Sequence, residues 1–139
     1  MEKDNSTKLI RSGLKRTEFM ETSEPLFLTS GFVYNSAEEA EDAFKERKKR
    51  FMYSRFGNPT VQMLQDKLAD IEGAEVCWCT STGMAAVFTI FMSFLKKGDR
   101  VVAGRALFGS CHHIITEILP RFGIEVQLVD GKDLNAWEE

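Results

Sequence analysis

Two short motifs constrain this chain more than anything else in it: Tyr53-Ser54-Arg55-Phe56-Gly57-Asn58-Pro59-Thr60, and downstream Ser81-Thr82-Gly83-Met84. The second sits where a strand should hand over to a helix. Glu75 to Thr80 is short, apolar and bounded by Gly73 and Gly83, which predicts a buried strand with Trp78 in the core. Met84 to Leu95 lacks Pro and Gly and is apolar nearly all round, which predicts a core helix. A helix N-terminus offers unpaired N–H groups and the positive end of its dipole, and glycine lets the backbone come close to an anion. Ser81 and Thr82 add hydroxyl donors. The turn therefore suits a phosphate, although a Ser- or Thr-capped tight turn reads the same way on its own.

The elements along the chain support an α/β domain. Residues up to about Met20 are mixed polar and charged, with Gly13 interrupting any helical pattern, so an extended arm is expected. Leu26 to Tyr34 is apolar without alternation and reads as irregular. Ser36-x-x-Glu39 is a capping-box pattern opening a helix from Ala37 to about Lys49, acidic first and basic later as the dipole favours. Thr60 is placed to cap a helix whose Val61, Leu64, Leu68 and Ile71 make one apolar face, with Gly73 as its stop. Arg100 to Ala103 and Ile124 to Val129 read as strands flanking a helix from Cys111 to Arg121 that Ser110 caps. This alternation predicts a parallel sheet with helices on its faces.

Composition removes several functions. With 139 residues and 43% hydrophobic content the chain can build one core, and its net charge of −3 speaks against nucleic acid as a partner. The basic run Lys45 to Arg50 reads as the solvated end of a helix. No leader-like segment and no long apolar stretch is present, so no membrane partner and a cytoplasmic location are expected. Cys77, Cys79 and Cys111 make no disulfide framework. Cys77 and Cys79 share one face of the predicted strand, as buried small residues would, and no metal site is expected. Neither G-x-G-x-x-G nor G-x-x-x-x-G-K-[ST] occurs, which argues against a dinucleotide or P-loop module. A non-catalytic α/β phosphate-binding or interaction fragment stays open as an alternative.

Taken together and in this order, the two motifs resemble the Cys/Met-metabolism family of pyridoxal-phosphate (PLP) enzymes. The resemblance runs from Pro25-Leu26-Phe27-Leu28-Thr29-Ser30 through both motifs, Gly98-Asp99 and Leu107-Phe108-Gly109-Ser110 to Leu119-Pro120-Arg121-Phe122-Gly123-Ile124, leaving only Met1 to Arg16 unmatched. It implies the aspartate aminotransferase-like architecture (fold type I). Residues 1–60 would then be an N-terminal arm and helix contacting a neighbouring subunit, and 61–139 the first part of the large PLP-binding domain, ending inside it.

The resemblance also assigns roles. Tyr53 and Arg55 would reach the cofactor phosphate of the neighbouring subunit in a homotetramer; by itself Arg55 reads as a surface ion pair. Ser81, Thr82, Gly83 and Met84 would hold the phosphate of the chain's own cofactor. Phe108 would stack on the pyridine ring at a position where many relatives carry tyrosine, and loss of that hydroxyl favours the O-acylhomoserine sulfhydrylase branch over the cystathionine and methionine lyases. The last two matched segments look most like the O-succinylhomoserine-using members. The implied reaction replaces the acyloxy group of an acylated homoserine with sulfide or a thiol. The cofactor-bearing lysine and the carboxylate that meets the pyridine nitrogen fall outside this chain, so the chain alone is expected to be inert. His112 and His113 match no family position and are assigned no role.

Overall fold

A computed structural model describes residues 5–138, which form two compact units, one ending at Cys79 and the other beginning at Thr80.

The first unit is built on helices. The expected extended arm instead contains helix α1, Asn5–Arg11, with Met1 to Asp4 outside the described residues. Gly13 does not break α1 prematurely; it stops it at close quarters with helix α3 (Pro59–Glu72). Gly13 lies at φ +74°, and a Cβ there would stand 2.2 Å from the Met63 carbonyl oxygen. Polar contacts then fasten α1 and the turn after it to α3. Lys15 pairs with Asp66 at 2.9 Å, Lys8 with Asp70 at 3.6 Å, and the buried Ser12 hydroxyl donates to Asp70. Lys15 and then Gln62, by their bonds to Asp66, hold its carboxyl below the usual range.

Helix α3 begins with Asn58, not Thr60, as its cap: the Asn58 Oδ1 accepts the Thr60 N–H at 2.9 Å. Pro59 at the first helical position is pre-set for the helix and gives up an N–H that would have no partner there. Gly73, at φ +66°, ends it as expected. The apolar face at Val61, Leu64 and Leu68 is the outward one, at 44%, 49% and 37% exposure, while Met63, Gln65 and Ala69 are buried. Helix α1 and the turn after it dock on the side that carries Met63, Asp66 and Asp70.

Helix α2 spans Ala37–Phe44, shorter than expected. Ser36 caps it, accepting the Glu39 N–H at 3.1 Å, and the Glu39 carboxylate accepts the Asn35 N–H. That backbone bond is the main cause of the lowered Glu39 pKa. The basic run does not extend the helix. Glu46 turns left-handed at φ +56°, Arg47 N–H returns to Asp42 O at 2.8 Å, and Arg47, Lys48 and Arg50 fold back on Asp42 and Glu39. Stacking five cations along one helix would have set like charges one turn apart; the reversal pairs them with the acidic first turns.

The expected buried strand at Glu75 to Thr80 does not form, and the run pairs with no strand among the described residues. Val76 and Trp78 are 67% and 77% exposed, so Trp78 is not core, and Cys77 and Cys79 are half-buried. A strand exists only through its ladder, and local composition cannot supply the partner.

The second unit holds a parallel pair, β1 (Arg100–Gly104) and β2 (Glu125–Val129), in register from Arg100 opposite Glu125 to Gly104 opposite Val129. Only two of the three expected strands are therefore paired. Helix α4, Gly83–Phe94, lays Met84, Val87, Phe88 and Phe91 against a core of Ala103, Ile114, Ile115, Leu119 and Ile124. It is no core helix: none of its residues is fully buried, and Ile90 and Phe94 face outward. Helix α5 starts at Gly109, one residue before the expected Ser110 cap, and no side chain caps it. It leaves α geometry after His113, as a π turn at Ile114–Ile118 and a 3₁₀ turn at Leu119–Phe122. Pro120 has no N–H to return to Thr116, and the Thr116 hydroxyl donates to His112 O at 3.0 Å, which bends a helix. A short helix α6, Asn135–Glu138, follows β2.

Candidate cofactor-phosphate site

The turn before α4 is arranged by threonine. Thr82 is the N-cap, its Oγ1 accepting the Ala85 N–H at 3.0 Å and its carbonyl the Ala86 N–H at 3.1 Å; the Thr80 hydroxyl donates to the same carbonyl at 2.7 Å. With those bonds made, the N–H groups of Gly83 and Met84 have no partner among the described residues. Ser81, Thr82 and Gly83 are exposed and Met84 half-buried. A Cβ added at Gly83 would meet nothing within 4 Å, and Gly83 has no positive φ. Neither packing nor backbone angle within the chain calls for glycine here. A phosphate fits the donor set of two free N–H groups and flanking hydroxyls. Sequence reading placed Ser81, Thr82, Gly83 and Met84 together, and the structure brings them together.

The Tyr53–Arg55 segment belongs to the first unit. Tyr53 bridges Gly31 in an antiparallel sense, Phe32 N–H donates to Met52 O at 3.3 Å, and Ser54 N–H to Ser30 O at 2.9 Å. Phe56 and Gly57 N–H groups both return to Tyr53 O, at 2.9 and 3.1 Å, closing a tight turn that carries Arg55 on its outside. The Arg55 guanidinium lies 5.4 Å from the ring centres of both Tyr53 and Phe56 and forms no ion pair with a described residue. The surface ion pair that Arg55 suggests on its own is not formed. An exposed, ring-supported cation is instead available for an anion.

Beside it lies a cleft of about 230 Å³ whose walls include Arg55, Phe56, Gln65, Trp78 and Cys79. Gln65 is only 7% exposed and forms part of the cleft wall. Burial, and next the neighbouring Cys77, push the Cys79 thiol up, which disfavours thiolate and hence nucleophilic use. The sequence reading missed Gln65, and also Asn58 and Thr60 as organisers of this region. Helical spacing put Gln65 off the apolar face, and nothing local signals that this other face is buried.

Phe108 is 74% exposed and makes no ring contact with a described residue. His112 and His113 are exposed on α5. Among the described residues no group of three or more His, Cys, Asp or Glu could hold a metal ion, and no helix is long and apolar enough to cross a membrane.

Comparison with known proteins shows the family and the fold. The model of the Cys/Met metabolism PLP-dependent enzymes matches residues 6–139. The chain is 50% identical over 129 residues to an O-succinylhomoserine sulfhydrylase of Mycobacterium tuberculosis, covering 93% of this chain and 32% of that protein. It is 38% identical over 132 residues to the O-succinylhomoserine sulfhydrylase of Pseudomonas aeruginosa, covering 95% of this chain and 33% of the relative. An L-methionine gamma-lyase of Treponema denticola is 34% identical, over 92% of this chain and 32% of the lyase. Among solved structures, a putative O-acetylhomoserine (thiol)-lyase of Campylobacter jejuni, which carries N'-pyridoxyl-lysine-5'-monophosphate, superposes with a TM-score of 0.90 at 26% identity, over 99% of this chain and 34% of that one. The chain thus spans about a third of the length of the curated relatives it matches. Its fold is that of the corresponding part of the PLP-dependent fold type I enzymes, and the chain belongs to the Cys/Met metabolism PLP-dependent enzyme family.

Proposed function

We propose that this chain is the phosphate-holding part of a PLP-dependent enzyme that replaces the acyloxy group of O-succinylhomoserine, or another O-acylated homoserine, with sulfide to give homocysteine. The observation that carries the reading is the 50% identity to an O-succinylhomoserine sulfhydrylase across nearly the whole chain. PLP, when bound, supplies an electron sink. The chain's own residues bind and orient it: Gly83 and Met84 through backbone N–H groups, Ser81 and Thr82 through hydroxyls, and Phe108 by lying on the ring face. Phe108 offers no hydroxyl with which to hold or move a proton beside the substrate, which supports replacement over elimination. The 139 residues alone are inert in this reading. A methionine γ-lyase activity is the second reading, supported by the 34% identity to the Treponema denticola lyase. The test compares kcat/KM of the whole protein for O-succinylhomoserine plus sulfide with that for methionine and cystathionine cleavage. Homocysteine formation is expected to be faster; faster cleavage of methionine or cystathionine overturns the sulfhydrylase reading.

Residues 1–60 act as an arm in this proposal, with Tyr53 and Arg55 completing the phosphate site of a neighbouring copy within a cytoplasmic homotetramer. The free, outward guanidinium of Arg55 supports this. Mixing Arg55→Ala subunits with subunits lacking the cofactor-bearing lysine should restore some activity, because one mixed site then has both groups. No recovery at any mixing ratio would mean that Arg55 serves its own chain.

A further inference from the structure

Asn58 is 9% exposed and its amide is used in every direction. Oδ1 accepts the Thr60 N–H at 2.9 Å, while Nδ2 donates to Phe27 O at 2.9 Å and to Ser54 Oγ at 3.0 Å. Ser54 passes the contact on, its hydroxyl donating to Thr29 O and its N–H to Ser30 O. Thr60 completes the clasp, its Oγ1 accepting the Phe27 N–H at 2.8 Å and donating to Pro25 O at 3.3 Å. Capping α3 requires only an acceptor, which Asp, Ser or Thr would supply equally. The two Nδ2 donors are extra to that task. One runs to the segment that pins the Tyr53–Gly57 turn, the other into the turn itself, to the residue next to Arg55.

We propose that Asn58 is a positioning residue for Arg55, its two Nδ2 bonds to Phe27 and Ser54 fixing the direction in which the Tyr53–Gly57 turn presents the guanidinium to a phosphate. The inference rests on the reading of Arg55 as a phosphate ligand. Two-pronged recognition of phosphate by arginine depends on orientation as much as on charge, so a turn free to rock would lose part of the contact.

The test uses the whole protein and pyridoxal 5'-phosphate as the probe, with dissociation constants from equilibrium dialysis. Asn58→Asp keeps the cap acceptor and loses both donors. Its affinity should fall at least about fivefold, the equivalent of one hydrogen bond, and the Phe56 and Gly57 amides should exchange faster with deuterium. In an Arg55→Ala background the same substitution should change affinity by less than about twofold. That comparison separates positioning from the added negative charge, whose repulsion of phosphate would persist without Arg55. Ser54→Ala, which buries no charge, should act in the same direction and guards against misfolding of the Asp variant. An equal loss in both backgrounds, or unchanged affinity in both Asn58→Asp and Ser54→Ala while Arg55→Ala binds weakly, overturns the positioning role. Unchanged affinity in Arg55→Ala itself overturns the phosphate reading, and this proposal with it.

Discussion

Gly83 is at odds with its surroundings within the chain. Gly83 has space where a side chain could stand, and helix propensity alone would put alanine there. Both motifs were legible in the sequence because each is local: a cap, a turn and the next few N–H groups are set by neighbours in the chain. Asn58 was legible as a turn residue only, since its partners Phe27 and Ser54 are chosen by the fold.

At the scale of elements, sequence reading succeeded where the cause is short-range and failed where a partner decides. Ser36 caps α2 and Gly73 stops α3 as their types dictate. The outward turn of Val61, Leu64 and Leu68 was not legible, because which side of α3 is covered depends on partners distant in sequence, such as α1, which docks through Gly13, Ser12 and Lys15. The run from Val76 to Thr80 has the composition of a strand but no ladder among the described residues. The docking of α1 gives an acid test. Asp66 titrates lower folded than unfolded, so its contribution is complete above the ordinary carboxylate range, near pH 4, and is lost as pH falls through the depressed folded value. The Ser12 amide, bonded to Lys8 O, should therefore lose protection from exchange, after correction for intrinsic rates, below about pH 4. Gly13→Ala should remove it at neutral pH, destabilising the chain by at least about 1–2 kcal/mol through the left-handed φ alone. Protection unaltered in Gly13→Ala would show that α1 is not held at that contact.

For the whole molecule, the chain covers about a third of its relatives, and the proposed function puts phosphate binding at Gly83–Met84 and at Arg55. The most direct measurement is the PLP dissociation constant of the full-length protein with Gly83→Ala, read beside the melting temperature of the cofactor-free form. Within this chain a Cβ at position 83 touches nothing, so the melting temperature should hold or rise. The methyl group would stand where phosphate must approach, so the cofactor should bind at least about tenfold more weakly, the equivalent of 1.4 kcal/mol. Wild-type affinity in Gly83→Ala would contradict the placement of the phosphate on the first turn of α4.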